Sequence, residues 1–306
     1  MLCKFFRFNV FFAILSLLPA TFNDLSGQDI HAMRQAEDTL ASILKMINQT
    51  TDDSIKERLN QAFSRQLNDA LLLDGAGNYP FLSLRSLVKA PSPDNKFIMY
   101  LWNLPESKGK HRYFGFIKIM DQQPPRILPL KDLTDSIQSP EKAVLDRMHW
   151  LGALYYKIIP CESRHGRPFY TLLGWSGKDP SITRKVIEVL TFDDTGSPKF
   201  GLPVFPNFGG GKLTRIIFRY SGTTSMSLKY EEQNIATDKK WNSKKRAFEY
   251  KTRSEKMIVC DRLIPLDPHL EGQFQFYVAA GDVFDGFEFQ NGNWNFIQGV
   301  DSRNRK

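Results

Sequence analysis

Cysteine and histidine are scarce in this sequence, and their spacing is unlike that of a metal or redox site. Three cysteines and five histidines occur in 306 residues. None of them forms a C-x-x-C or an H-x-x-x-H pair, the short spacings through which proteins commonly hold zinc or carry out dithiol chemistry. The sequence therefore predicts neither a metal nor another cofactor, and it disfavours redox catalysis.

Long hydrophobic runs are scarce too. The apolar run Phe8–Leu18 has eleven residues, whereas a membrane-spanning helix needs about 20. Lys4 and Arg7 precede the run and small residues follow it, which is the order of parts in a secretory signal peptide. We predict a signal peptide over residues 1–27, with cleavage after Gly27; the alternative is a buried N-terminal helix. The mature chain is then exported to the periplasm or the cell exterior and is soluble.

Removal of the signal peptide changes which cysteines are available to form a disulfide. It removes Cys3 and leaves Cys161 and Cys260. In an oxidising compartment these two could form a disulfide, and a bridge across so long a loop would stabilise the fold by several kcal/mol in the chain-entropy model. The alternative is two small buried residues on separate strands, because free cysteine is often buried.

The net charge limits the choice of partner. The chain carries +8 at pH 7, and loss of the signal peptide removes two positive charges and one negative charge, which leaves +7. A basic exported protein can meet lipid headgroups, cell-wall polymers or nucleic acid. Export disfavours nucleic acid, so we expect an anionic envelope component or another envelope protein as the partner.

The segment Thr237–Lys256 concentrates this charge. It contains eight lysines and arginines against three acidic residues, with aromatic residues between them. Basic and aromatic side chains together can bind a polyanion through charge and stacking. The alternative is a protruding hairpin whose lysines maintain solubility and protect edge strands from pairing. The candidate binding residues are Lys239, Lys240, Trp241, Lys244, Lys245 and Arg246.

Two amphipathic helices are predicted near the start of the mature chain. Apolar residues recur at three- and four-residue steps in two stretches separated by the polar segment NQTTDD. Ser54 with Glu57 three residues later is a capping-box pattern for the second helix. Gly75 or Gly77 can take the left-handed conformation after its end. This helical hairpin, residues 28–77, is expected to pack on the rest of the chain, with a dimer contact as the alternative.

Residues 78–306 predict an antiparallel β domain. Short segments rich in β-branched and aromatic residues alternate with turn sequences such as SPDN, SGKDP and DDTGSP. Asn291-Gly292 predicts a type I′ hairpin, because that turn needs positive φ at both central residues. The fold class is therefore mainly β, with antiparallel sheets and an N-terminal α-helical hairpin. A sandwich and a large open sheet both fit; a propeller-like stack is less favoured, because no repeat of blade length is visible.

Several segments carry a resemblance to a known family. They are PSPDNKF, WLGALYYKIIP, YTLLGWSGKDPSITRKVIEVL, RIIFRYS, MSLKYEE, GDVFDGFEF and GNWNFIQGVDSRN. These segments resemble a family of exported bacterial proteins of uncharacterised function, over roughly Tyr79 to Asn304. The resemblance implies export and a β-rich fold, and it implies no catalytic residues.

Two motifs suggest enzymes but are incomplete. GWSGK around Ser176 approaches the G-x-S-x-G nucleophile elbow, yet Lys178 stands where the second glycine belongs, and a strand rather than a helix is predicted to follow. The resemblance also implies an acidic residue at the position of Ser176, so a turn is favoured. NFGGGKLT approaches a phosphate-binding loop, but Leu213 replaces the hydroxyl residue that meets magnesium.

Carboxylates near the C-terminus are the remaining catalytic candidates. Asp282, Asp285 and Asp301 lack the spacing of a calcium loop. They could carry out acid–base chemistry if their surroundings separated their pKa values, although aspartate beside glycine more commonly caps a turn. Because no catalytic motif is complete, we predict a non-enzymatic binding or envelope-associated module. The alternative is a hydrolase that uses these carboxylates on an envelope polymer or glycan.

Overall fold

The computed structural model describes residues 27–120, 124–210, 212–244 and 246–300. The predicted signal peptide lies outside the described residues, except for Gly27, and Lys245 and Asp301 lie outside them as well. In the described ranges, helices α1 (Gly27–Gln49) and α2 (Asp53–Leu72) precede fourteen strands. None of the helices in the described ranges is long and apolar enough to cross a membrane. The predicted fold class is confirmed: the chain is mainly β, with antiparallel sheets and an N-terminal helical hairpin.

The strands form three antiparallel sheets. Sheet 1 has the order β1-β2-β3-β4, which are Val88–Pro91, Phe97–Pro105, His111–Ile119 and Arg126–Lys131. Sheet 2 has the order β5-β9-β8-β7-β6, which are Leu145–Asp146, Pro198–Phe200, Ile182–Phe192, Pro168–Ser176 and Leu154–Glu162, and β10 (Ile216–Ser221) pairs with β8. Sheet 3 runs in chain order through β11 to β14, which are Leu228–Asn242, Ala247–Pro265, Tyr277–Gln290 and Asn293–Val300.

The start of α2 differs from the prediction. Asp52, just before the helix, accepts hydrogen bonds from the backbone N–H groups of Ser54 at 2.8 Å and Ile55 at 3.2 Å. A carboxylate at this position satisfies N–H groups that have no partner within the helix. The predicted capping box is therefore wrong: Ser54 lies inside α2, and Glu57 pairs with Arg112 of β3.

The glycine turns follow the sequence more closely. Gly75, just after α2, adopts a φ of 74°, which is the left-handed conformation expected there. Asn291 and Gly292 have φ values of 51° and 78°, and they join β13 to β14. Positive φ at both positions is the condition for the predicted type I′ turn, because only then does the turn match the twist of its two strands.

The elements stack as four layers with an apolar core in each interface. The helical hairpin packs on sheet 1, sheet 1 packs on sheet 2, and sheet 2 packs on sheet 3. In β2, Phe97 and Met99 contribute to the core shared with sheet 2, whereas Tyr100 and Trp102 contribute to the core beneath the helices. A strand buried on both faces reads as a continuous apolar run, and FIMYLW in β2 is such a run.

An ion pair is buried within sheet 2. The Arg215 guanidinium donates to Glu188 with an Nε–Oε2 distance of 2.7 Å, and both side chains are inaccessible to solvent. Arg215 also donates to the backbone carbonyls of Ala143 at 2.8 Å and Phe200 at 3.0 Å. Burial raises the pKa of Glu188, and the adjacent Arg215 opposes that rise. The pair ties the segment before β5 to the centre of sheet 2.

Candidate functional site

Strands β11 and β12 continue beyond the rest of sheet 3. β12 pairs with β13 only from Met257 onward. Its preceding residues, 247–256, have β11 as their one strand partner in the described part of the chain. Together with their partners in β11, these ten residues form a two-stranded ribbon about 33 Å long, at ~3.3 Å per residue. Residues 232–256 are termed the basic ribbon here. They hold eight lysines and arginines and four acidic residues. Their net charge of +4 is half of the chain's net charge of +8.

The structure brings the predicted binding residues together at the outer end of the basic ribbon. Lys239 and Lys240 pair in register with Tyr250 and Glu249, and Trp241 pairs with Phe248. Trp241 is 52% exposed, and the turn residues Lys244 and Arg246 are exposed. Lys245 lies outside the described residues. The described candidates therefore lie in the turn that joins β11 to β12 and at positions near the end of β11, just before that turn.

The inner end of the basic ribbon is fixed to the body by polar contacts. Arg253 forms ion pairs with Glu255, at 3.6 Å, and with Glu288 of β13. The Ser254 hydroxyl donates to Glu232 across the two strands at 2.7 Å. Because Glu288 is buried, its pairing with Arg253 holds the ribbon at the point where it leaves sheet 3. The sequence carried no signal for this pairing, since the two residues are 35 positions apart.

The carboxylates considered for catalysis have different surroundings. Asp285 in β13 accepts hydrogen bonds from Arg262 Nε at 3.0 Å and from the backbone N–H of Gly299 at 3.0 Å. A second Arg262 nitrogen also contacts Asp285, and these hydrogen bonds raise the pKa of Arg262. Asp282 is exposed, and Asp301 lies outside the described residues. Asp285 is thus engaged in an arginine pair, which links β12 to β13.

The two cysteines are free thiols on separate strands. Cys161 lies in β6 and Cys260 in β12, and both contribute to the core between sheets 2 and 3. Burial raises the pKa of Cys161 to about 11, and it also raises the pKa of Cys260. Thiols that stay protonated near neutral pH are poor nucleophiles.

The two incomplete motifs occupy connections between strands. Ser176 is the last residue of β7 and is buried, and the loop after it leads into the antiparallel strand β8. A nucleophile elbow leads from a strand into a helix, so Ser176 does not lie in one. It ends β7 directly before the connection to β8 rather than lying within a turn. The GGGK segment connects β9 to β10, also without a following helix, and Gly211 within it lies outside the described residues. Across the described ranges, no group of three or more His, Cys, Asp or Glu side chains could hold a metal ion.

Comparison with known proteins gives no indication of function. No family model, no curated protein and no solved structure matches the chain. The resemblance to a family of exported bacterial proteins therefore stays a prediction. Function has to be inferred from the geometry and charge of the described residues.

Proposed function

We propose that this chain is an exported, non-enzymatic binding module that attaches to an anionic polymer of the cell envelope through the basic ribbon. The observation that carries the proposal is the extension of β11 and β12 by about ten residue pairs beyond sheet 3. Pairing within the rest of sheet 3 needs no such extension, because β12 pairs with β13 only from Met257 onward.

The charge of the ribbon supports an anionic partner. Charges in solution act over a Debye length of about 8 Å at physiological salt, so a ribbon of this length places its outer lysines beyond the field of the body. Binding to a polyanion then adds the contributions of several lysines and arginines that each displace a counterion. The half-exposed Trp241 adds a large aromatic surface at the same end.

The hydrolase alternative has less support. A general acid or base must reach the substrate in a defined protonation state. Asp285 is instead held by Arg262 and by the backbone of Gly299. Asp282 is exposed to solvent. The geometry of the described residues therefore favours binding over hydrolysis.

The proposal is tested by comparing two variants with equal loss of charge. The ribbon variant changes Lys239, Lys240, Lys244, Lys245 and Arg246 to Gln. The control variant changes five exposed residues of the helical hairpin and of the β2–β3 connection to Gln, namely Lys45, Arg58, Arg65, Lys108 and Lys110. Binding to immobilised heparin, a sulfated polysaccharide, is measured as a function of salt. We expect the ribbon variant to lose about tenfold or more in affinity and to show a shallower salt dependence, whereas the control changes by about twofold.

Capture from a cell-envelope extract distinguishes the classes of partner. The mature chain and both variants serve as baits, and the captured material is divided into polysaccharide, lipid and protein fractions. Capture of an anionic polymer by the mature chain and the control, but not by the ribbon variant, is the expected result. Equal losses for the two variants on heparin would contradict the proposal. Capture of one specific protein that survives high salt would favour an envelope-protein partner instead.

A further inference from the structure

A cleft of about 200 Å³ opens where sheet 1 meets sheet 2, at the opposite end of β7 from Ser176. Four strand ends meet there: the start of β2, the end of β3, the start of β7 and the end of β8. The lining includes Lys96, Phe97, Ile119, Tyr170, Phe192 and Gly196. The cleft is well separated in the chain from the basic ribbon, and it plays no part in the proposed function.

Three aromatic rings form the apolar wall of this cleft. The ring of Phe97 packs edge to face on Tyr170, with centroids 4.8 Å apart, and lies 5.3 Å from the ring of Phe192. Tyr170 and Phe192 are 6.3 Å apart and also meet edge to face. Mutual contacts of this kind hold each ring in place. An apolar ligand would therefore meet a wall that is already formed.

Two hydrogen-bonded turns form the rim. In the β1–β2 turn, Phe97 donates its backbone N–H to the hydroxyl of Ser92 at 3.1 Å. In the β8–β9 turn, Asp193 accepts from the backbone N–H groups of Thr195 at 3.0 Å and Ser197 at 2.9 Å. Gly196, within the second turn, has a φ of 71°, which glycine adopts without strain. Both turns position the rim before any ligand arrives.

The rim carries charges of both signs, and among the residues that line the cleft the charged one is Lys96. Lys96 Nζ lies 3.5 Å from Asp94 Oδ2, and its side chain is 58% exposed. Tyr170 donates its hydroxyl to the same Asp94 oxygen at 2.7 Å. Burial alone would raise the pKa of Asp94, but hydrogen bonds from Tyr170 and neighbouring groups lower the pKa below its ordinary value. Arg126 donates to the backbone carbonyl of Thr195 at 2.8 Å, which keeps a second cation beside Gly196.

We propose that this cleft binds a small molecule with one apolar or aromatic six-membered ring and a carboxylate. The ring fits beside Phe97, Tyr170 and Phe192, because an apolar cavity of about 150 Å³ already accommodates benzene. The carboxylate lies at the rim beside Lys96, which lines the cleft, and near Arg126. The rim carboxylates of Asp94 and Asp193 already accept hydrogen bonds, from Tyr170 and from the backbone of the β8–β9 turn respectively. A few polar groups at the edge of an apolar pocket are the usual basis of orientation and selectivity in small-molecule sites.

Benzoate, cyclohexanecarboxylate, benzyl alcohol, benzylamine and acetate serve as probes. Their binding to the mature chain is followed by two-dimensional NMR, which also locates the site by the amide shifts of Phe192 and Gly196. We expect both ring acids to bind at the cleft about three- to fivefold more tightly than benzyl alcohol, since an exposed ion pair contributes modestly. Benzylamine and acetate should bind more weakly still, because one has the wrong charge and the other has no ring.

Charge variants give the matched comparison. Lys96→Gln and Arg126→Gln should each weaken benzoate by about threefold or more and leave benzyl alcohol unchanged. Lys131→Gln is the control, because this exposed lysine lies at the other end of β4 from Arg126. Shifts confined to other regions, equal binding of benzylamine and benzoate, or equal effects of the Lys96 and Lys131 changes would overturn the proposal. All of these outcomes are independent of polyanion binding by the ribbon.

Discussion

At the scale of single residues, polar side chains join the layers through the apolar cores. Trp294 of β14 donates its indole N–H to the hydroxyl of Thr171 in β7 at 2.8 Å, and neither side chain is accessible to solvent. Within sheet 2, Glu188 and Arg215 form a second buried polar contact. A buried polar group without a partner is costly, so each of these contacts specifies one arrangement of the elements that it joins and disfavours others.

The cysteine thiols give a test at this scale. At pH 8 a thiol with a pKa of about 11 is ionised in about one molecule in a thousand. In folded protein that comprises residues 28–306, we expect Cys161 and Cys260 to react slowly with Ellman's reagent. Two thiols per chain should react rapidly once urea unfolds it without reductant.

The variant Cys161→Ser is the control for that titration and should yield one thiol per unfolded chain. A count of zero for unfolded protein of residues 28–306 would mean that Cys161 and Cys260 are joined by a disulfide. The same count therefore decides between the two alternatives that the sequence left open for these cysteines.

At the scale of elements, helix α2 is attached to sheet 1 by buried hydrogen bonds as well as by apolar packing. Trp102 of β2 donates its indole N–H to Asn60 of α2 at 2.8 Å, and both residues are buried. Lys118 of β3 donates to the backbone carbonyl of Leu71 at 2.7 Å, in the last turn of the helix. A cation there also interacts favourably with the helix dipole.

Replacement of Asn60 tests this attachment. In Asn60→Ala the indole N–H of Trp102 stays buried without its acceptor, which should lower the free energy of unfolding by about 1–3 kcal/mol. Urea denaturation measures the change. Asn68→Ala in the same helix is the control, because Asn68 is only partly buried and alanine favours helix. Equal stability of the two variants would show that the Trp102–Asn60 contact contributes little.

At the scale of the whole molecule, the layer order makes the helical hairpin a cover for sheet 1. One face of β2 and β3 lies directly under the helices, and five of its buried apolar residues are Ile98, Tyr100, Trp102, Leu104 and Phe116. Apolar surface of this extent is rarely left exposed by soluble proteins. The hairpin therefore acts as part of the folded core rather than as a separate attachment.

Deletion of residues 28–77 should expose this face. We expect the shortened chain to bind a hydrophobic dye and to self-associate on size-exclusion chromatography. The control is a shorter deletion in the basic ribbon, in which Asn-Gly replaces residues 236–252 between the paired residues Ile235 and Arg253. That variant should remain monodisperse with little dye binding. A monodisperse, dye-free hairpin deletion would show that the helices are dispensable for the β body.

The sequence alone determined the features that depend on neighbouring residues. The spacing of apolar residues identified both helices, because a helix face is defined within a few turns. Asn291-Gly292 identified its hairpin, because the backbone preference resides in those two residues. The density of lysine and arginine identified the candidate binding segment. The protruding hairpin considered for Thr237–Lys256 rests on local sequence too, but the extent of its strand β11, Leu228–Asn242, could not be read from apolar alternation, because an exposed ribbon does not impose it.

The tertiary structure alone decided the features that depend on distant residues. The order of the four layers is one of them. β2 and β7 are apolar on both faces, so their sequences do not indicate which element packs on which face. The pairing of Glu188 with Arg215, 27 positions apart, is another. The length of the basic ribbon depends on where β13 stops pairing with β12, and the cleft exists only where four strand ends meet. Periodicity describes which face of an element is apolar, but packing decides what covers that face.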